Sequence, residues 1–340
     1  MKPFELGITT FAEVMPDPKT GQTLSYEKRL NNLIEEIVLA DQVGLDYFGV
    51  GEHHRKDFAT SHPAIVLAAA ASLTQRIKLG SAVTVLSSDD PVRVYQAFAT
   101  VQALSHGRAE ITAGRGSFIE SFPLFGYDLN DYEALFEEKL DALIAINRDE
   151  IVHFKGHHRA SIDGLGVYPR VNPIPIHVAV GGTPASVVRA AKRGLPLFLA
   201  IIGGEVHRFK VLVDLYKKTY LESGYAEADM MISVHSHGYV APTFEEAYKT
   251  YYPSVAQAMS QIGKERGWGP YTQATYDHAV GSHGALYVGD PKTVIQKIQH
   301  LRAALGTVHR FAMHTPVGFL EHDKVLSSHR LLGTDVKPYL

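Results

Sequence analysis

"RIKLGSAVTVLSSDDPVRVYQAFATVQALSHGRAEITAG" (76–114) decides the fold. The segment 76–86 is a β-branched, apolar run and reads as a buried strand. Asp90 and Pro91 then open a helix, Asp90 as N-cap and Pro91 at the first helical position, and Gly107 closes it. "RAEITAG" (108–114) is a second strand. A strand, a helix and a strand within 39 residues form a crossover unit, which makes neighbouring strands parallel.

The same beat extends both ways. "FELGITTF" (4–11) is a strand. "SYEKRLNNLIEEIVLADQVG" (25–44) carries Leu30, Leu33, Ile34, Ile37 and Val38 on one helical face, with Gly44 at the C-cap. "DYFGVGEH" ends a strand, and "SHPAIVLAAAASLTQ" (61–75) opens a helix with Ser61 and Pro63. Downstream, 130–146 is an amphipathic helix. Strands follow at 174–180, 195–202, 231–240 and 310–316, separated by helical stretches at 183–194, about 205–220 and beyond 240. Eight such units in one chain predict a TIM (β/α)8 barrel spanning 1–340 as a single domain. A doubly wound open sheet is the rival, but no break divides the chain into halves. Two segments fall outside the beat. Residues 151–173 alternate and carry turn signals, which predicts a hairpin or loop insertion. Residues 224–289 are too long for a bare connection and predict a helical or loop insertion near strands seven and eight, over the barrel mouth.

Composition narrows function. The chain has 340 residues and a net charge of −3, so no basic excess points to nucleic acid or an anionic membrane. There is no Cys, which excludes disulfides, thiolate catalysis and Cys-bound zinc. The N-terminus lacks a signal-peptide pattern, and the apolar run 64–73 is too short to cross a bilayer. These features predict a cytoplasmic protein.

In a barrel the active site lies at the C-terminal ends of the strands. Glu52, His53 and His54 end strand two, Arg115 ends strand four, and Gly181 and Gly182 end strand five. His235 and His237 end strand seven, and His314 ends strand eight. Gly181, Gly182 and Thr183 run into a helix, so backbone amides and a helix N-terminus face one point, as in a phosphate cradle. The alternative is a βα turn capped by Thr183. Arg115 suits a bidentate grip on phosphate, or a surface salt bridge. His235 and His237 point the same way along a strand and could share a metal ion, with His283 and His314 as further ligands, as in metal-dependent hydrolases.

The ordered pieces "EHH", "GSAVTVLSSDDPVR", "LSHGRAEITAGRGSF", "YPRVNPIPIHVAVGGTPASVVRAAKRGLP", "YVGDPKTVIQKI" and the "LLGTDVKPYL" tail resemble the bacterial luciferase-like, flavin-dependent monooxygenase family over nearly the whole chain. The resemblance implies a barrel, paired as a homodimer through helices, that binds reduced FMN at the strand ends. It implies that Arg115, Gly181, Gly182, Thr183 and Ser186 hold the FMN phosphate, and that Ala82 and Val83 flank a non-prolyl cis peptide behind the isoalloxazine ring. His53 matches the catalytic histidine, with Glu52 beside it, and an imidazole titrating near 6.5 would suit acid–base work. The implied reaction is oxygenation of a small organic substrate. A separate NAD(P)H-dependent flavin reductase would supply the reduced FMN, because no dinucleotide fingerprint occurs here. Gly114 stands where luciferase-type members have Cys, which argues against light emission. Other readings are hydride transfer with a deazaflavin coenzyme, a metal-dependent hydrolase through His235 and His237, and a flavin-binding protein without turnover.

Overall fold

The computed structural model describes residues 3–116 and 118–340. Eight parallel strands close into a ring: β1 (Glu5–Thr10), β2 (Tyr47–Val50), β3 (Lys78–Ser81), β4 (Ala109–Gly114), β5 (Ile176–Val180), β6 (Leu197–Ala200), β7 (Ile232–Val240) and β8 (Arg310–His314). β8 pairs with both β1 and β7, and β7 also pairs with β6, which shuts the barrel. Closure follows from the sequence pattern. Most strands carry buried apolar residues on both faces, so one face must fill the interior while the other meets helices.

The helices are α1 (Tyr26–Gln42), α2 (Pro63–Ala71), α3 (Pro91–Leu104), α4 (Tyr132–Arg148), α5 (Pro184–Lys192), α6 (Lys210–Glu222), α7 (Pro291–Leu305) and α8 (His322–Leu331). Local chemistry sets their starts. Asp90 accepts from the amides of Val92 and Arg93, and Pro91 follows it. Ser25 accepts from Lys28 N at the start of α1. At α2 the cap is His62 rather than Ser61, and it makes no side-chain bond. Leu33 and Ile37 of α1, Val94 and Phe98 of α3 and Leu140 and Leu143 of α4 are buried between helix and sheet.

The barrel interior is layered. At the N-terminal end Arg310 is held by Glu110 at 2.6 and 2.9 Å and by Glu5 at 2.7 Å. Burial alone would raise the Glu110 carboxyl, but Arg310 and His177 outweigh it and hold it well below its usual range. Tyr47, Phe198 and Ala312 fill the middle. Threonine and histidine side chains form the top layer.

Three expectations change. The run 76–86 is two strands, Lys78–Ser81 and Thr84–Val85, interrupted at Ala82–Val83. The stretch 224–289 contains β7 itself, so the added segment begins only after Val240. It holds helices Phe244–Arg266 and Gln273–Val280 and a short strand, Tyr287–Gly289, beside β7. The helix of the seventh unit is therefore α7, not the long stretch after residue 240. Residues Ile151–Phe154 and Ile162–Gly166 form an antiparallel pair outside the barrel. Among the described residues, no helix is long and apolar enough to cross a membrane.

Candidate functional site

Beyond β2 the chain stitches itself to the loop after β1. Gly51 N donates to Thr10 O at 2.9 Å. Thr60 Oγ1 reaches the carbonyls of Phe11 and Gly51 at 3.0 and 2.9 Å, and His53 N donates to Thr60 O at 3.1 Å. Gly51 must be glycine, since a Cβ there would lie 2.2 Å from the Phe11 ring. These ties press His53 into an aromatic cage. Its ring sits 4.6 Å from Phe11, 4.4 Å from Phe58 and 4.9 Å from Phe118, centroid to centroid. Its Nε2 is buried without a hydrogen-bond partner.

That burial, with smaller contributions from His314, Arg55 and His54, drives the His53 pKa down to about 3. Titration near 6.5 is therefore not what the fold allows. His53 is a neutral imidazole at physiological pH, able to donate or accept one hydrogen bond at Nε2 but carrying no charge.

Glu52, placed beside His53 by sequence, has both oxygens engaged elsewhere. One lies 2.7 Å from His54 Nε2, and the other accepts from Val85 N at 2.8 Å. The second bond fixes the segment joining β3 to Thr84–Val85. Within it the Ala82–Val83 peptide is cis. A Cβ on Gly114 would come within 2.5 Å of Val83 Cγ2, so Val83 fills the space that a Cys would need. Gly114→Ala is expected to lower stability by about 1–3 kcal/mol through overpacking, read as a shifted denaturation midpoint. The double variant Gly114→Ala/Val83→Ala should recover most of it; no recovery would show that Val83 is not the obstacle.

At the end of β5, Gly181 and Gly182 lead to Thr183, the N-cap of α5, with Pro184 next. Gly182 has φ +123°, which L side chains rarely adopt, and a Cβ on Gly181 or Gly182 would meet nothing within 4 Å. The helix start thus lies behind a bare backbone. Arg115, from the end of β4, donates to Ser186 Oγ in the first turn of α5 at 3.0 Å. Arg115 also pairs with Glu133 and lies over the Tyr132 ring at 5.1 Å. Arg189 joins them, donating to Glu133 at 2.6 Å, to Glu137 at 2.8 Å and to Ser186 Oγ at 3.4 Å. Two guanidinium groups, a hydroxyl and a helix start converge here, a donor set that fits a phosphate. Of the two readings of Arg115, the salt bridge is present, to Glu133, and the donors around it are those that an anion seat would need. Arg189, Tyr132 and Glu133 were not singled out by sequence, although Ser186 and Arg189 stand at i and i+3 and so share a helical face. Phe118 was missed as well.

The top interior layer is built by register. Thr9 pairs with His314 across β1–β8, and His237 with His314 across β7–β8. Thr9 Oγ1 lies 3.1 Å from His235 Nδ1 and 3.2 Å from His314 Nδ1, and His314 Nε2 lies 2.9 Å from Glu13 Oε1. The rings of His235 and His237 stand 5.2 and 5.3 Å from that of His314. His283 is not among them; it follows the outer helix Gln273–Val280 and pairs with His300 at 3.1 Å. Among the described residues no group of three or more His, Cys, Asp or Glu side chains is arranged to hold a metal ion, so the hydrolase reading lacks its ligand set.

Burial holds His237 at about 3 and His329, inside α8, at about 4. Both, with His53, remain neutral in the folded chain, whereas free imidazole protonates below about 6.5. Between pH 4 and 6.5 the unfolded chain therefore binds more protons. Stability is full above about pH 6.5 and falls as pH drops, by roughly 1.4 kcal/mol per pH unit for each histidine. Urea midpoints at pH 7 and pH 5 check this, and His329→Phe should flatten the slope by one histidine's share.

The family profile described as luciferase-like monooxygenase matches residues 4–308. The chain is 29% identical to the N-acetyl-S-alkylcysteine monooxygenase of Bacillus subtilis over 54% of its own length and 55% of that protein. It is 24% identical to the alkanal monooxygenase alpha chain of Photorhabdus luminescens, covering 89% of each. Of the first three curated relatives it spans 64%, 55% and 52% of their length. Among solved structures, monooxygenase RslO1 from Streptomyces bottropensis superposes with a TM-score of 0.83 at 22% identity, covering 98% of this chain and 99% of that one. The oxygenating constituent of 3,6-diketocamphane monooxygenase from Pseudomonas putida, in complex with FMN, gives 0.78 at 19% over 99% of both chains. The coenzyme F420-dependent tetrahydromethanopterin reductase of Methanopyrus kandleri gives 0.74 at 17%, again over 99% of both. At these identities the structural likenesses establish the fold.

Proposed function

The chain belongs to the luciferase-like monooxygenase family, and from that premise we propose that it is a flavin-dependent monooxygenase working with reduced FMN. One observation carries the reading. Arg115 and Ser186, 71 residues apart, meet at 3.0 Å beside an open helix start. The phosphate would be held by Arg115, Arg189, Ser186 and the amides of Gly181, Gly182 and Thr183. The segment Ala82–Val83, braced by Glu52 through Val85 N, would back the ring system. When bound, reduced FMN supplies the electrons that activate O2 for transfer of one oxygen atom to an organic substrate.

The remaining work falls to the chain's own side chains. Phe11, Phe58 and Phe118 exclude water from the reacting face. His53 Nε2, neutral and without a partner, would hold or pass one proton at the substrate. Glu52 acts as a positioning residue, because both its oxygens are already committed. Arg55, bound to Glu265 on the helix Phe244–Arg266 at 2.7 Å and lying 4.5 Å over Phe118, ties the added segment to the aromatic cage around His53. A separate NAD(P)H-dependent reductase would deliver the reduced FMN, and a homodimer formed through the barrel helices is part of the same reading.

The test is oxygen uptake by the purified chain with FMN, NADH and an added flavin reductase. Substrate-dependent uptake above the reductase background supports the proposal. No FMN affinity in either redox state would end it. Hydride transfer with a deazaflavin is the second reading, favoured by the likeness to the F420-dependent reductase. Titration with F420 against FMN separates the two.

A further inference from the structure

The two arginines of the proposed phosphate seat already share a counter-ion. Glu133 bridges them, one carboxylate oxygen toward Arg115 and the other 2.6 Å from Arg189 Nη2. The three side chains differ in burial. Arg189 is 7% exposed and Arg115 18%, but Glu133 is 57% exposed. The guanidinium groups are therefore built into the wall, and the carboxylate lies loosely on top of them. Without an anion between them, two partly desolvated positive charges would repel. Glu133 relieves this in the unliganded chain.

Helix geometry separates two roles. Glu133 and Glu137 stand four residues apart on α4 and face α5 together. Glu137 takes Arg189 Nε at 2.8 Å. Arg189 therefore keeps one acidic partner when Glu133 leaves. Glu133 lies in the first turn of α4, where a carboxylate is stabilised by the helix start even when its side chain swings into water.

We infer that Glu133 is a displaceable counter-ion that competes with the cofactor's phosphate for Arg115 and Arg189, and so keeps cofactor affinity low enough for release. The inference rests on the reading of Arg115 and Ser186 as the phosphate seat. A phosphate dianion and the carboxylate cannot both occupy the guanidinium edges, because like charges at such distances repel strongly. Binding then requires Glu133 to move out, and dissociation is assisted by its return. A cofactor received from one protein and handed back needs this exchange, and affinity differences of this kind appear mainly in the dissociation rate.

The experiment measures FMN and riboflavin binding by flavin fluorescence for the wild type, Glu133→Gln, Glu133→Ala and Arg115→Ala. Both Glu133 variants should bind FMN about 5- to 20-fold more tightly, with slower dissociation, and riboflavin unchanged. Glu133 is half-exposed, so the fold should survive, and matching circular dichroism and melting curves check that. If Arg115→Ala loses its preference for FMN over riboflavin but neither Glu133 variant gains affinity, Glu133 is a strut and the inference falls while the seat stands. If Arg115→Ala leaves that preference intact, the phosphate seat itself is misplaced.

Discussion

Arg115→Ala is expected to weaken FMN binding by about 30- to 100-fold and to leave riboflavin binding unchanged. The guanidinium is anchored from two sides, by Ser186 Oγ at 3.0 Å and by the Tyr132 ring beneath it. It therefore reaches the phosphate with little rotamer freedom left to lose. A hydrogen bond to a charged group contributes about 1.5–3 kcal/mol, and each 1.4 kcal/mol is tenfold in affinity. Removal also leaves Glu133 with one arginine fewer, which adds repulsion toward the incoming phosphate. Arg115→Lys should recover only part of the loss, since an ammonium cannot present two parallel donors. Riboflavin lacks the phosphate, so the ratio of the two affinities is the readout. An equal loss for both flavins would mean that Arg115 supports the pocket's shape and does not touch phosphate.

His53→Ala is expected to lower turnover by about 100- to 1,000-fold while FMN affinity stays within about twofold. Positioned proton transfer contributes about 10²–10⁴, and the imidazole packs against Phe11, Phe58 and Phe118. Neutrality sharpens the prediction. With its pKa pushed down to about 3, His53 does not change charge between pH 5.5 and 8.5, so the wild-type pH profile should show no break from this residue in that range. His53→Gln keeps a donor and an acceptor at similar reach and should recover part of the activity, which a purely steric role would not permit. A wild-type profile that breaks near pH 6.5 and flattens in His53→Gln would show that the bound complex charges this histidine after all.

The electrostatics of this histidine mark where sequence reading stopped. "VGEHHRKDF" displays the imidazole and Phe58 at a strand end, but the burial that sets its pKa also needs Phe11 and Phe118, which arrive from two other loops. Likewise "TAGRGSF" and "GGTPAS" each display half of the proposed anion seat. Their meeting at 3.0 Å needs β4 and β5 to pair in parallel, a contact between segments some 65 residues apart that only the assembled sheet makes. Glu133 carries no local signal at all, because a glutamate in the first turn of an amphipathic helix is ordinary.

The parallel eight-fold beat, the helix starts at Ser25 and Asp90, and the strand ends that bear Glu52, His53, Arg115, Gly182 and His314 were determined by sequence alone. Each depends on hydrogen-bonding and burial patterns within a few residues of chain. The depressed histidine, the commitment of Glu52 to the backbone of Val85, the failure of His283 to join His235 and His237, and the two arginines sharing one carboxylate were decided by tertiary structure. Charge, desolvation and hydrogen-bond pairing depend on which side chains meet in space, and those partners lie up to some 300 residues apart, as His314 and Glu13 do.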